Sequence, residues 1–180
     1  GMPVSEAGGS FEKSLINLGG NIEDPFQIFD DVKQHYNKIL AEKRKTAEIW
    51  EKRKAEWAVT NSELEKKLNS FYAGNVPEID YKAVRQKEGS ATRAASAIML
   101  NLFAATIENM VVASADLSNS DKTDGFLKNT HPFTKGDFTG AFLHAGVSEL
   151  TMAAVINGMA LHGGIIPACG TFFVFSDYMK

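Results

Sequence analysis

Residues 89–180 alternate between helix-type and strand-type hydrophobic patterns, and this alternation limits the possible folds more than any other feature of the chain. Ser90 stands where a helix N-cap belongs, and residues 91–107 form an alanine-rich helical run. Residues 110–115, Met-Val-Val-Ala-Ser-Ala, have the length and flanks of a short buried strand. Residues 142–147 are a second strand candidate. Residues 149–161 are a helix ending before Gly163-Gly164, residues 165–169 a third strand, and Thr171 opens a further helix. Strands interleaved with helices predict an α/β architecture with a parallel sheet. Residues 116–138 are polar and turn-rich and read as a long loop; loops of that length in compact domains are functional or disordered. Three strands are few for such a domain, and the pattern is still helical at Lys180, so both ends are expected to be cuts through a larger protein.

The part before residue 89 reads differently. Residues 1–24 are rich in Gly and Ser, with one short helical turn over 11–18. Residues 25–72 predict helix, with Asp24 as N-cap and Pro25 in the first turn. Ile28, Phe29, Val32, Tyr36, Ile39 and Leu40 recur at helical spacing. The run then turns mostly charged, with Glu48 and Lys52 as a favourable i,i+4 pair and Trp50 and Trp57 marking a thin apolar stripe. Glutamates interleave with Lys43-Arg44-Lys45 and Lys52-Arg53-Lys54, so a solvated face accounts for these residues better than a nucleic-acid surface. Gly74 and Pro77 end the helical run, and residues 74–89 read as linker. The expected organisation is therefore 1–88 and 89–180.

Net charge is -3 and the pI near 5.8, too close to neutral to indicate a nucleic-acid or membrane-surface partner. Cys169 is the only cysteine, so no internal disulfide can form, and a reducing cytoplasm fits. No basic region followed by an apolar core marks a signal peptide. The apolar stretch 152–175 approaches membrane-spanning length, but Gly158, Gly163, Gly164, Pro167 and Gly170 interrupt it, which favours a helix followed by a buried strand.

There is no P-loop, no dinucleotide fingerprint, and no metal-ligand spacing among His35, His131, His144 and His162. Arg93, in the first turn of its helix, opposes the helix dipole; it is either exposed at a small cost or partnered with an anion at that terminus. Asp116, followed by Ser118, Asn119 and Ser120, closes an apolar strand, where parallel sheets bind ligands; a simple Asx or Ser turn is the alternative. Glu149 heads a helix with hardly any charge, which predicts a buried helix. Its carboxylate is either a dipole partner or a desolvated functional group. Phe172, Phe175 and Tyr178 recur every three residues, a spacing also found in ordinary core.

Five blocks occur together: ATRAAS (91–96), SADLSNS (114–120), GVSELTM (146–152), NGMALHGG (157–164) and GTFFVFSDY (170–178). In order and spacing they resemble the pyrimidine-binding domain of transketolase. Residues 1–20 and the charged helices resemble the end of that family's diphosphate-binding domain and its interdomain linker. The resemblance implies a partial thiamin-diphosphate-binding fold and transfer of a two-carbon ketol unit between sugar phosphates. It implies that Glu149 hydrogen-bonds the aminopyrimidine ring nitrogen of thiamin diphosphate, favouring the tautomer whose amino group can deprotonate the thiazolium carbon. Phe172, Phe175 and Tyr178 would form the aromatic pocket, with Phe175 stacking on the ring. Arg93 and Ser120 would bind the substrate phosphate, and Asp116 would lie near the cofactor and a subunit interface.

Ser148 and Leu150 flank Glu149 where many members have Arg and His, a departure that bears on fine geometry. The Gly-Asp-Gly…Asn signature that holds the diphosphate through Mg²⁺ or Ca²⁺ is absent. The metal ligands are thus expected outside this chain, and a homodimer or companion chain is expected to supply the diphosphate half. Two other readings stand beside this one. The first is a related thiamin enzyme such as deoxyxylulose-phosphate synthase, against which the long charged helices and the SADLSNS block argue. The second is a non-catalytic assembly piece.

Overall fold

The structure, a computed structural model, describes all residues 1–180. It divides into two compact units, Gly1–Thr60 and Asn61–Lys180. The first holds α1 (Phe11–Asn17), where Ser10 caps the Lys13 amide, and α2 (Asp30–Thr60). The predicted start at Pro25 is not used. Residues 24–27 close a single turn, Gln27 N–H donating to the Asp24 carbonyl, and the helix begins at Asp30 and Asp31, whose charges suit its N-terminus. No residue of α2 is buried, as its interleaved charges require. Lys52 pairs with Glu56 at 4.0 Å rather than with Glu48, and the Arg53 guanidinium lies 5.2 Å from the Trp50 ring centre.

The second unit starts with α3 (Ser62–Tyr72), so the run expected over 25–72 is two helices divided at Asn61. Thr60, Asn61 and Ser62 all have side chains that compete for backbone hydrogen bonds, which disfavours uninterrupted helix. Lys67 of α3 pairs with Glu108 at 2.6 Å, and the Tyr72 ring rests on Gly163 and Gly164.

A three-stranded parallel sheet follows: β1 (Met110–Ser114), β2 (Phe142–His144) and β3 (Ile166–Gly170), ordered β2-β1-β3. Val112 pairs with Phe142, and Met110 with Ile166. The central strand is buried throughout. Its side chains alternate between two cores, as strand geometry demands. Met110 and Val112 pack with Ile107, Phe126 and Phe142 beneath α4 (Thr92–Thr106). Ala113 packs with Ala115, Met152 and Ile156 beneath α6 (Glu149–His162). The fold is thus the α/β, partial parallel-sheet domain preceded by a long helix that the sequence predicts.

Four local expectations are revised. The helix after the linker is capped at Ala91, one residue past Ser90. Residues 116–138 contain a short α5 (Ser118–Asp121) and a 3₁₀ turn (Thr123–Lys128), which buries Phe126 against α4. β2 ends at His144 because Gly146, at φ +69°, turns the chain out of extended conformation. The final helix is 3₁₀ (Phe173–Met179). In addition, α6 buries only the side carrying Met152, Ala153 and Ile156, because one helix face covers one sheet face; Leu161 is 90% exposed. No helix is long and apolar enough to cross a membrane.

Candidate functional site

The carboxyl ends of all three strands open onto one cavity of about 390 Å³. Ala115, Asp116 and Leu117 line it from beyond β1, Val147 and Glu149 from beyond β2, and Phe175 and Tyr178 from beyond β3. Parallel strands aim their carboxyl ends the same way, so residues far apart in sequence meet there, and this is where open α/β sheets bind ligands. The walls are mainly apolar, with Glu149 and Asp116 as the carboxylates among the lining residues.

Each wall has a local cause. Ser148 Oγ donates to the Ala145 carbonyl at 2.6 Å, fixing the bend after β2, and Glu149 begins α6 with its charge at the favourable helix end. Asp116 sits at φ 63°, left-handed backbone that is uncommon outside glycine. Phe175 and Tyr178 lie one 3₁₀ turn apart, so their side chains eclipse and share a side, with ring centres 6.5 Å apart. Phe172 precedes that turn in extended conformation and does not line the cavity; its carbonyl accepts from the Phe175 amide at 2.9 Å.

Arg93 lies elsewhere, on a second cavity of about 410 Å³ that also includes Thr92, Ser96, Asp121, Thr123 and Cys169. Its Nη1 donates to the Ser120 carbonyl at 3.0 Å, giving a first-turn cation an acceptor. Burial pushes the Cys169 thiol up, which disfavours a reactive thiolate. The structure thus gathers Asp116, Glu149, Phe175 and Tyr178 at one cavity and joins Arg93 to Ser120 beside another.

Three residues at this edge escaped the sequence reading: Ser114, Asp121 and Thr123. Ser114, fully buried, donates through Oγ to Asp121 Oδ2 at 3.0 Å, while Asp121 Oδ1 accepts from both the amide and hydroxyl of Thr123 at 2.8 Å. The Asp-x-Thr spacing is an Asx-turn signal that could have disclosed the second half of this network. No group of three or more His, Cys, Asp or Glu side chains is placed to hold a metal ion.

Comparison with known proteins bears on the same residues. The family model described as transketolase, pyrimidine binding domain, matches residues 88–180. A transketolase of Halalkalibacterium halodurans is 35% identical over 161 residues, 88% of this chain and 24% of that protein. The chloroplastic transketolase-1 of Arabidopsis thaliana is 37% identical over 174 residues, 94% of this chain and 23% of that protein. Among solved structures, a Pichia stipitis transketolase in complex with sedoheptulose-7-phosphate aligns at TM-score 0.68 and 29% identity, covering 92% of this chain and 26% of that one. The chain therefore spans about a quarter of the length of the relatives it matches.

Proposed function

Since the chain belongs to the transketolase family, we propose that it supplies the pyrimidine half of a thiamin diphosphate site to an enzyme moving a two-carbon ketol unit between ketose and aldose phosphates, a pentose phosphate pathway reaction. The observation that carries this reading is the convergence of Glu149, Asp116, Phe175 and Tyr178 on one cavity from three strand ends. A flat apolar ring with one nitrogen to protonate fits such walls: aromatic faces for the ring, and one carboxyl at the edge.

When bound, thiamin diphosphate supplies the nucleophilic carbon that carries the two-carbon unit. Glu149 holds a proton between its carboxyl oxygen and the ring nitrogen, and its place at the head of α6 fixes that oxygen's position. Phe175 provides the flat contact and Tyr178 extends it, while Phe172 steadies Phe175 through the backbone. Asp116 stands at the rim. Arg93 and Ser120 take the substrate phosphate, the guanidinium as the charged donor. The chain's own side chains do not suit a metal, so the Mg²⁺ or Ca²⁺ of the site is proposed to have its ligands outside residues 1–180.

The proposed partner is a second subunit or companion chain that supplies the diphosphate half. Val147, at the cavity wall, is 81% exposed, and Leu150 and Phe173, which flank wall-bearing segments in sequence, are 64% and 91% exposed. Apolar surface of this kind around a cavity favours cover by another chain. The proposed parts are 1–88, the end of the diphosphate-binding domain and linker, and 89–180, the start of the pyrimidine-binding domain; the family match begins at residue 88. The proposed setting is the cytoplasm, where the lone Cys169 stays reduced.

The test uses the full natural polypeptide carrying this sequence. Ketol transfer from xylulose 5-phosphate should require thiamin diphosphate, and Glu149→Ala should lower turnover by roughly 100-fold or more with the fold intact. Near-normal turnover of that variant would sink the assignment. Use of pyruvate as donor would instead indicate a deoxyxylulose-phosphate synthase type of reaction, which the relatives named above do not favour. A polypeptide with no transfer activity that elutes only with a companion chain would indicate an assembly role.

A further inference from the structure

The two cavities share one short segment, residues 115–122. It carries Asp116 and Leu117 on the wall of the first, and Ser120, whose carbonyl takes Arg93, beside the second. Near its two ends stand the only non-glycine residues of the chain with positive φ, Asp116 at 63° and Lys122 at 72°. Such backbone is strained and persists only where its surroundings over-determine it.

The Asp121 carboxylate does so here. Its Oδ2 accepts the hydroxyl of Ser114, which is fully buried at the end of the central strand, and its Oδ1 accepts the amide and hydroxyl of Thr123, just beyond the strained Lys122. Ser114 Oγ in turn accepts the Leu117 amide at 3.3 Å, closing the segment onto the sheet from its other side. Three donors thus meet one carboxylate, and their anchor is the central, fully buried strand of the sheet. The arrangement leaves no slack: a β-carbon on Gly170, opposite Ser114 in β3, would stand 2.5 Å from Thr123 Cγ2.

We propose that Asp121 is a positioning residue that sets both subsites at once, holding Asp116 at the ring cavity and the Ser120 carbonyl at Arg93. This rests on the functional reading above. Asp121 borders the second cavity, but both of its carboxylate oxygens are taken by Ser114 and Thr123; it acts through the segment it clamps, so its loss should weaken two binding events together. Asn in its place should largely suffice. Its amide oxygen can accept from Thr123 while its N–H₂ donates to Ser114 Oγ, whereas Ala can do neither.

The experiment compares wild type, Asp121→Ala, Asp121→Asn and Ser114→Ala in the full natural polypeptide. It reads the thiamin diphosphate Kd by calorimetry, the KM for a ketose phosphate and for the same ketose without phosphate, and amide exchange over 115–123. Asp121→Ala should raise the Kd and the phosphorylated-donor KM each on the order of tenfold, with kcat and the unphosphorylated KM moving much less. Exchange over 115–123 should quicken, and Asp121→Asn should stay within about twofold of wild type. If Asp121→Ala does not fold, Ser114→Ala, which removes a single buried oxygen, carries the same comparison. A variant that binds both ligands as wild type does overturns the positioning role, as does an Asn variant as damaged as the Ala variant. Wild-type protein that binds neither ligand overturns the functional reading itself.

Discussion

Arg93 and Ser120, 27 residues apart, are joined by a 3.0 Å hydrogen bond from the guanidinium to the backbone carbonyl. The bond aligns an otherwise exposed cation at the head of α4 with the loop that leaves the central strand. If Arg93 holds the substrate phosphate, Arg93→Ala should raise KM for phosphorylated sugars about 10- to 100-fold, the range for a charge-assisted hydrogen bond, with kcat much less affected. Steady-state kinetics on paired phosphorylated and unphosphorylated substrates decide it. An equal effect on both would count against a phosphate role.

Phe175 and Phe172 are three residues apart yet differently placed, one on the cavity wall and one just before the 3₁₀ turn. Phe175→Ala should therefore weaken thiamin diphosphate binding more than Phe172→Ala does. Loss of a ring contact corresponds to about 1 kcal/mol, or roughly fivefold in Kd. Fluorescence or calorimetric titration of both variants measures it, and equal losses would mean that Phe172 also reaches the ring.

Gly125 lets the 3₁₀ turn sit directly on α4. A β-carbon there would lie 2.5 Å from the Ala97 carbonyl oxygen and 2.8 Å from Ala97 Cα, both backbone atoms that cannot swing aside. Gly125→Ala should destabilise by roughly 1–3 kcal/mol. Gly158 in α6 has open space around its Cα, so Gly158→Ala should instead stabilise by about 1 kcal/mol through helix propensity. Urea unfolding of the pair is the check; the prediction fails if both substitutions shift the midpoint in the same direction.

Asp137 accepts the Thr139 hydroxyl at 2.6 Å and the Thr139 amide at 2.9 Å, and these bonds, with a smaller contribution from His131, hold its carboxyl below the usual aspartate range. Because the folded value is depressed, the contribution to stability is present above the unfolded aspartate value and lost as pH falls through the folded one. Thr139→Val should raise the Asp137 midpoint in an NMR carboxyl titration while leaving the amide bond in place. An unchanged midpoint would show that the hydroxyl is not the cause.

Much of this was legible from one dimension. The β-branched run at 110–114 and the run at 149–162, with hardly any charge beyond Glu149, announce a strand and a helix because their periods differ and their compositions admit few other partners. Glu149, Asp116, Phe175 and Tyr178 could be named from ordered blocks, since a motif is a local string. Short polar segments were less legible. The turn 123–128 was hidden in an apparent loop because what buries it, Phe126 against the underside of α4, is a contact between distant parts of the chain.

The sequence by itself determined the alternation of helices and strands over 89–180, the burial of the strand at 110–114 and the identity of the candidate ligating groups, because these follow from local periodicity and residue chemistry. Only the tertiary structure decided which candidates share a cavity. It put Phe172 off the wall, placed Arg93 beside a different cavity from Glu149, and showed Asp121 clamped between Ser114 and Thr123. The physical reason is that a parallel sheet collects the ends of strands far apart in sequence at one edge, where a side chain's position depends on backbone turns such as the left-handed Asp116 that no local pattern encodes.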